Sequence, residues 1–266
     1  MSENVCYQLC ASNIGWAKAD DARVLRRMKE LGYRGMEVAP SRLFGDTPYT
    51  HRTSAAMLSI AMRREFDFSI PSMQSIWFGV EGNIFDPDDR NKLMYKTNCA
   101  FKFARAMQCH SLVFGCPKAR NVPEGHDPAE ADEFFRESGR LAESYGGRLA
   151  MEANPPIYGT NFLNTTRECF DYVKKLGERG LSVNFDLGTV IYNQENLADF
   201  ADDFGLVSHV HISEPYLAPI EERPIHKELA ALLRQVGYKG FVSVEMKCAD
   251  YETVDKCLTY VAEVFL

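Results

Sequence analysis

Four side chains of the kinds that bind metals and move protons stand at the ends of four successive apolar stretches. They are Glu152 in RLAMEANPP, Asp186 in LSVNFDLGT, His211 in SHVHISEP and Glu245 in FVSVEMK. Each is separated from the next by about the length of one strand-plus-helix unit. In an extended strand, alternate side chains share a face. Ser182, Asn184 and Asp186 then lie opposite Leu181, Val183 and Phe185. The same alternation sets Phe241, Ser243 and Glu245 against Val242 and Val244, and Arg148, Ala150 and Glu152 against Leu149 and Met151. It also sets His209 and His211 against Val210 and Ile212. All four candidate groups can therefore point to one side. Three adjacent carboxylates without a cation would repel and resist ionising together. One divalent metal ion removes that conflict. Three oxygen ligands and one imidazole suit a fairly hard ion, Mn²⁺ or Mg²⁺ first, with Co²⁺ or Zn²⁺ as further candidates.

Such a site suits removal of a proton next to a carbonyl, which is normally too weakly acidic at neutral pH. A metal bridging the carbonyl and a neighbouring hydroxyl stabilises the enediolate as a Lewis acid. A carboxylate on one face takes the proton and one on the other face returns it. Return to the opposite face of the same carbon is epimerisation. Return to the neighbouring carbon is aldose–ketose isomerisation.

The positioning elements are legible from repeated joints. Leu31-Gly32-Tyr33-Arg34-Gly35, Leu176-Gly177-Glu178-Arg179-Gly180 and Val236-Gly237-Tyr238-Lys239-Gly240 each precede an apolar run. Glycine supplies the left-handed residue that ends a helix, and a strand starts a few residues later. Reading outward predicts eight strands near residues 6–11, 35–39, 69–75, 111–115, 148–153, 181–186, 207–213 and 241–246. Helices are expected after Asp20-Asp21, from Asp86-Pro87 to about Met107, from Asp127-Pro128 to about Tyr145, from Thr165 or Thr166, around 228–236 and around 252–264. Strands alternating with helices over residues 1–266, with no linker or composition shift, predict one (β/α)8 TIM barrel forming a single domain. A doubly wound open sheet is the alternative. No GxGxxG follows the first strand and no P-loop lysine motif occurs.

A net charge of -7 argues against a broad nucleic-acid surface. No run approaches the length of a membrane span, and the N-terminal MSENVCYQLC lacks the pattern of a signal peptide. Eight cysteines without a CxxC pair read as reduced thiols of a cytoplasmic protein.

The ordered set EANP, FDLG, HVHISEP and SVEMK, together with MQSIWFG and VFGCPKAR, resembles the xylose isomerase-like TIM-barrel superfamily of sugar phosphate isomerases and epimerases. The resemblance is to the D-tagatose 3-epimerase type and spans nearly the whole chain. It implies that Glu152, Asp186, His211 and Glu245 bind one Mn²⁺ or similar ion, and that Glu152 and Glu245 form the acid/base pair. It implies a small-molecule sugar or sugar phosphate as substrate. A homo-oligomer is a further expectation, because such barrels often form dimers or tetramers. One departure stands out: many relatives carry a histidine shortly after the aspartate, where this chain has Thr189. Three alternatives stand beside this reading: a cyclitol (inosose-type) dehydratase, a sugar-binding barrel without catalysis, or an endonuclease IV-like metal phosphodiesterase, against which Thr189 counts because such a site needs three metals and extra histidines.

Other residues invite two readings each. Lys118 and Arg120 in GCPKAR suit a phosphate or acidic substrate, or a solvated loop. Glu214, just past the His211 strand, suits a substrate hydroxyl, and His226 in RPIHKEL suits the same pocket or a helix-start surface. Gln74 and Glu37 end earlier strands and are candidate substrate contacts. His209 reads as a core imidazole, and Trp77 and Phe78 read as core rather than as an apolar wall of the pocket. Asn164-Thr165-Thr166 matches a glycosylation sequon, which carries no meaning in a cytoplasmic protein.

Overall fold

Glycines set the handover from helix to strand. Gly32, Gly177 and Gly237 all adopt positive φ, which a side chain with a Cβ rarely takes. The computed structural model describes residues 6–266, so the leader expectation at MSENV lies outside the described residues.

Eight strands result: β1 (Gln8–Ser12), β2 (Gly35–Glu37), β3 (Ser72–Met73), β4 (Ser111–Phe114), β5 (Arg148–Glu152), β6 (Leu181–Asp186), β7 (Val207–Ile212) and β8 (Phe241–Val244). They form one parallel sheet in the order β2-β1-β8-β7-β6-β5-β4-β3. Bridges Gly35–Ser69 and Val38–Met73 join the two outer strands, so the sheet curls into a nearly closed barrel. β3 is shorter than its apolar run predicts. Pro71 has no N–H to donate, and Ser75 turns the chain at φ 54°. Glu245 lies one residue past β8, yet its N–H still donates to the Ile212 carbonyl at 2.9 Å.

The helices are α1 (Asp21–Glu30), α2 (Pro40–Phe44), α3 (Arg52–Phe66), α4 (Pro87–Ala106), α5 (Asp132–Ser144), α6 (Thr166–Leu176), α7 (Leu187–Asn193), α8 (Pro224–Gln235) and α9 (Tyr251–Phe265). Asp86 caps α4 by accepting from Asp88 N–H, and Thr165 with Glu168 forms a capping box on α6. Asp20 caps nothing with its side chain. Asp21 instead binds Trp16 Nε1 at 2.8 Å and the Arg42 guanidinium at 2.6 Å. The 15-residue α3 has no single apolar stripe: Ala55 and Met62 are buried while Met57 and Ile60 are exposed. Its periodicity is therefore weak in sequence.

The apolar core lies between barrel and helices. Leu149, Met151, Val183, Phe185, Val210, Ile212 and Val242 point outward into it and are fully buried. The barrel interior is polar by contrast. Ser72, Ser182, Asn184, His209, His211 and Ser243 are all buried there, where most barrels pack branched apolar layers. No described helix is long and apolar enough to cross a membrane.

Candidate metal and catalytic site

The four acidic and imidazole groups do not share one hydrogen-bonding rung. Glu152 is level with Asn184, Asn184 with His209, and His209 with Phe241. Asp186 and His211 therefore stand two residues above the rung of Glu152, and Glu245 four. A barrel sheet is sheared by about one residue per strand, and this tilt compensates the climb. The ligand atoms of Glu152, Asp186, His211 and Glu245 consequently all lie within 4.8 Å of one another.

His211 organises the cluster. Its Nδ1 lies 3.1 Å from Glu152 Oε1 and 3.1 Å from Glu245 Oε2. Its Nε2 lies 3.1 Å from both oxygens of Glu37, across the barrel on β2. Glu37 is completely buried and also meets His209 Nε2 at 2.5 Å. A carboxylate that accepts from Nε2–H fixes the ring so that Nδ1 faces the other three groups, where it can offer its lone pair once an ion displaces its proton. His209 in turn reaches Ser72 Oγ at 3.0 Å, so it braces Glu37 from below.

Each carboxylate is held by dedicated donors. Asn184 Nδ2 donates to Glu152 Oε1 at 2.6 Å and Asn154 Nδ2 to Glu152 Oε2 at 3.2 Å. Arg120 fixes this pair: its guanidinium donates to the Glu152 carbonyl at 2.8 Å and to Asn154 Oδ1 at 3.0 Å. Asp186 accepts from Thr189 N–H at 2.6 Å, so it does cap α7. Its other oxygen accepts from the Ser213 hydroxyl, which itself accepts from Gly188 N–H at 2.9 Å. Helix capping and membership of the cluster coexist in one side chain.

The electrostatics follow from burial and proximity. Burial would push Glu37 up, but the two facing imidazoles win and hold it well below the usual carboxylate range. Burial likewise opposes the lowering of Glu152, where the bond from His211 prevails. Asp186 is raised by burial and then by Glu152. Burial lifts Glu245 to about 7 despite His211. His211 is pulled down by burial, yet the carboxylates of Glu245 and Glu37 hold it well above an ordinary histidine.

This donor set fits a divalent ion. Three carboxylates and one oriented nitrogen converge, and an added positive charge relieves their mutual repulsion. The surroundings are shaped for it as well. A Cβ on Gly115 would lie 2.6 Å from Glu152 Oε2, so only glycine admits the carboxylate at that place. The Asn184 Oδ1 atom is buried with no protein partner. The cluster opens on a cavity of about 220 Å³ bordered by Gln74, Val113, Cys116, Tyr158 and Leu217, with Glu152, Asp186 and Glu245 at its base.

A family profile described as xylose isomerase-like TIM barrel matches residues 25–259, most of the chain. The chain belongs to that family. No curated protein matches this xylose isomerase-like barrel by sequence. Its fold is similar to that of D-psicose 3-epimerase from Clostridium cellulolyticum H10, solved with D-tagatose. That comparison has TM-score 0.79 and 17% identity, covering 97% of this chain and 98% of the other. A 3-keto-D-glucoside 4-epimerase from E. coli is similar at TM-score 0.74 and 16% identity, covering 97% and 99%. A protein from Brucella melitensis titled AP endonuclease, family 2, is similar at TM-score 0.74 and 19% identity, covering 96% and 98%.

Within this xylose isomerase-like barrel the residues singled out from sequence separate into two groups. Glu152, Asp186, His211 and Glu245 come together, and Gln74 borders their cavity, donating to Ser12 Oγ at 2.6 Å. The others do not reach it. Lys118 is exposed and does not line the cavity. Arg120 is sealed behind Glu152. Both oxygens of Glu214 face the Arg223 Nε, at 2.8 and 2.9 Å. His226 is buried against α9 with its Nδ1 2.9 Å from Tyr260 OH, and burial pushes its pKa down to about 4. Thr189, which stands where the resemblance implies a histidine, donates its hydroxyl to the Ala153 carbonyl at 3.0 Å. Trp77 is core, with its Nε1 donating to Thr97 Oγ1 at 3.1 Å, and Phe78 is exposed. Asn154, Tyr158 and Ser213 were missed. Asn154 and Ser213 are each two residues beyond a member of the quartet, Glu152 and His211, and were legible as the next inward positions; Tyr158 sits on a single 3-10 turn past β5, where no periodicity marks direction.

Proposed function

We propose that this barrel is a divalent-metal-dependent epimerase or isomerase of a small sugar. The carrying observation is that Glu152 and Glu245 both stand 3.1 Å from the same imidazole nitrogen and both open on one small cavity. Two carboxylates bordering one substrate can take a proton and return it elsewhere. The ion, Mn²⁺ or Mg²⁺ by its oxygen-rich donors, supplies a Lewis acid that stabilises negative charge on adjacent substrate oxygens. Asn154 and Asn184 orient Glu152, while Tyr158, Gln74 and Leu217 close the cavity around a ligand of monosaccharide size.

The cavity favours a sugar without phosphate. None of the described residues lining it is Lys, Arg or His. The cations nearest in sequence are engaged or outside: Arg120 by Glu152 and Asn154, Arg223 by Glu214, Lys118 in solvent. A phosphate there would face three carboxylates and no cationic side chain.

The test is dialysis against chelator, Mn²⁺ add-back, and deuterium uptake from D2O into a panel of free ketoses. Metal-dependent exchange, absent in Glu245→Gln while the sugar still binds, is expected. A protein that holds one ion per chain and exchanges no sugar proton overturns the reading. Three ions per chain would instead support phosphodiester cleavage, and loss of water from a cyclitol would mark a dehydratase.

A further inference from the structure

A groove on the outer wall, between α3 and α4, carries the sign of charge that the rest of the chain lacks. The chain holds 30 Lys and Arg against 37 Asp and Glu. A half-open cavity of about 430 Å³ continues into two shallower surface depressions along this groove. The first is bordered by Tyr49, Arg52, Tyr95, Lys96 and Lys102. The second shares Arg52 and Lys102 and adds Arg105. The third shares Arg105 and adds Arg63. Among the described residues, no Asp or Glu lines any of the three.

The cations there are not neutralised internally. Among the described residues, the side chains of Arg52, Lys102 and Arg105 have no ion pair and no hydrogen-bond partner. Lys96 Nζ sits 5.0 Å above the Tyr49 ring, and Arg63 meets only the neutral Gln108 amide at 3.2 Å. Lys102 and Arg105 are one turn apart on α4, a spacing at which like charges repel. Most other arginines do find partners: Arg27, Arg42, Arg140, Arg167 and Arg223 all pair with carboxylates. Uncompensated charge of one sign in a concave site concentrates counter-ions. The cavity volume of 430 Å³ falls in the range of about 300–1,000 Å³ typical of small-molecule sites. Thr47 and Thr50 add hydroxyl groups to its wall, and Tyr95 holds its ring out to solvent.

We propose that this groove binds a small phosphate-bearing polyanion, gripped by Arg52, Lys96, Lys102 and Arg105. No residue lines both this groove and the catalytic cavity, so the site is separate and does not depend on the reaction proposed above. Point cations on flexible stems suit phosphoryl oxygens, and Arg adds bidentate contacts.

Inorganic triphosphate titrated calorimetrically into the full chain at low salt provides the test. One saturable site per chain is expected, weakening at least tenfold as salt rises from about 50 to about 200 mM. The surface double variant R52Q/K102Q should weaken it by about tenfold or more, while keeping the wild-type melting temperature. K118Q, which removes an exposed lysine elsewhere, should leave binding unchanged. Absence of saturation overturns the proposal. So does a change below threefold in R52Q/K102Q, or an equal loss in K118Q, which would mark general attraction to positive charge.

Discussion

Replacing Gly115 by alanine probes how tightly the second half of the cluster is built. The added Cβ would lie 2.6 Å from Glu152 Oε2 and 3.3 Å from Asn154 Oδ1. Ordinary contact begins at 3.4 Å, so the carboxylate must retreat by about 0.8 Å in a close-packed interior. It cannot do so freely. Asn184 holds one oxygen at 2.6 Å, Asn154 the other at 3.2 Å, and Arg120 holds Asn154 at 3.0 Å. Gly115 itself has a backbone that alanine can adopt, since its φ lies outside the left-handed region. The substitution should therefore displace the Glu152 carboxylate rather than unfold the chain. Disturbing the groups that orient a metal ligand weakens affinity by about 10–100-fold, or about 1.4–2.7 kcal/mol. Mn²⁺ titration followed by electron paramagnetic resonance measures this without knowing the substrate, and a melting curve of the metal-free protein checks the fold. An Mn²⁺ affinity within threefold of wild type, with the fold intact, would refute the reasoning.

Glu37→Gln removes the charge that faces both imidazoles, and should lower Mn²⁺ affinity at the quartet by about 10–100-fold although Glu37 lies outside the quartet. An unchanged affinity would show that Nδ1 needs no such support. In the metal-free protein Glu245 is raised to about 7 and His211 is held well above an ordinary histidine. A raised folded pKa stabilises the protonated form, so the Glu245 contribution is lost as pH rises through about 7 and the His211 contribution only beyond the ordinary histidine range, and a bound ion must displace those protons. The melting-temperature gain from Mn²⁺ should accordingly grow between pH 5 and pH 8; calorimetry showing a constant gain would count against the coupling. Lys118→Ala should leave turnover within about twofold, because its side chain lies in solvent outside the cavity; a large rise in KM would return it to the substrate.

Strand periodicity is a local property, and that is why so much of the site was legible before any tertiary structure. The pleat places Glu152, Asp186, His211 and Glu245 on the inward face of their strands, and the glycine joints Gly32, Gly177 and Gly237 space those strands into βα units. Fold class and the candidate ligand quartet follow from that alternation alone. α3 escaped detection because its buried and exposed apolar residues are interleaved, and β3 shrank because Pro71 breaks the ladder. What the chain could not reveal locally is which groups meet across the barrel. Glu37 finds His209 and His211 only because closure brings β2 opposite β7, and Arg120 turns inward to Asn154 rather than out to a substrate. Of the loop after β7 it is Leu217 that borders the cavity, while Glu214 turns to Arg223, and His226 meets Tyr260 because α8 packs against α9. Alternation sets the face on which a side chain emerges; shear, closure and helix packing set what it touches.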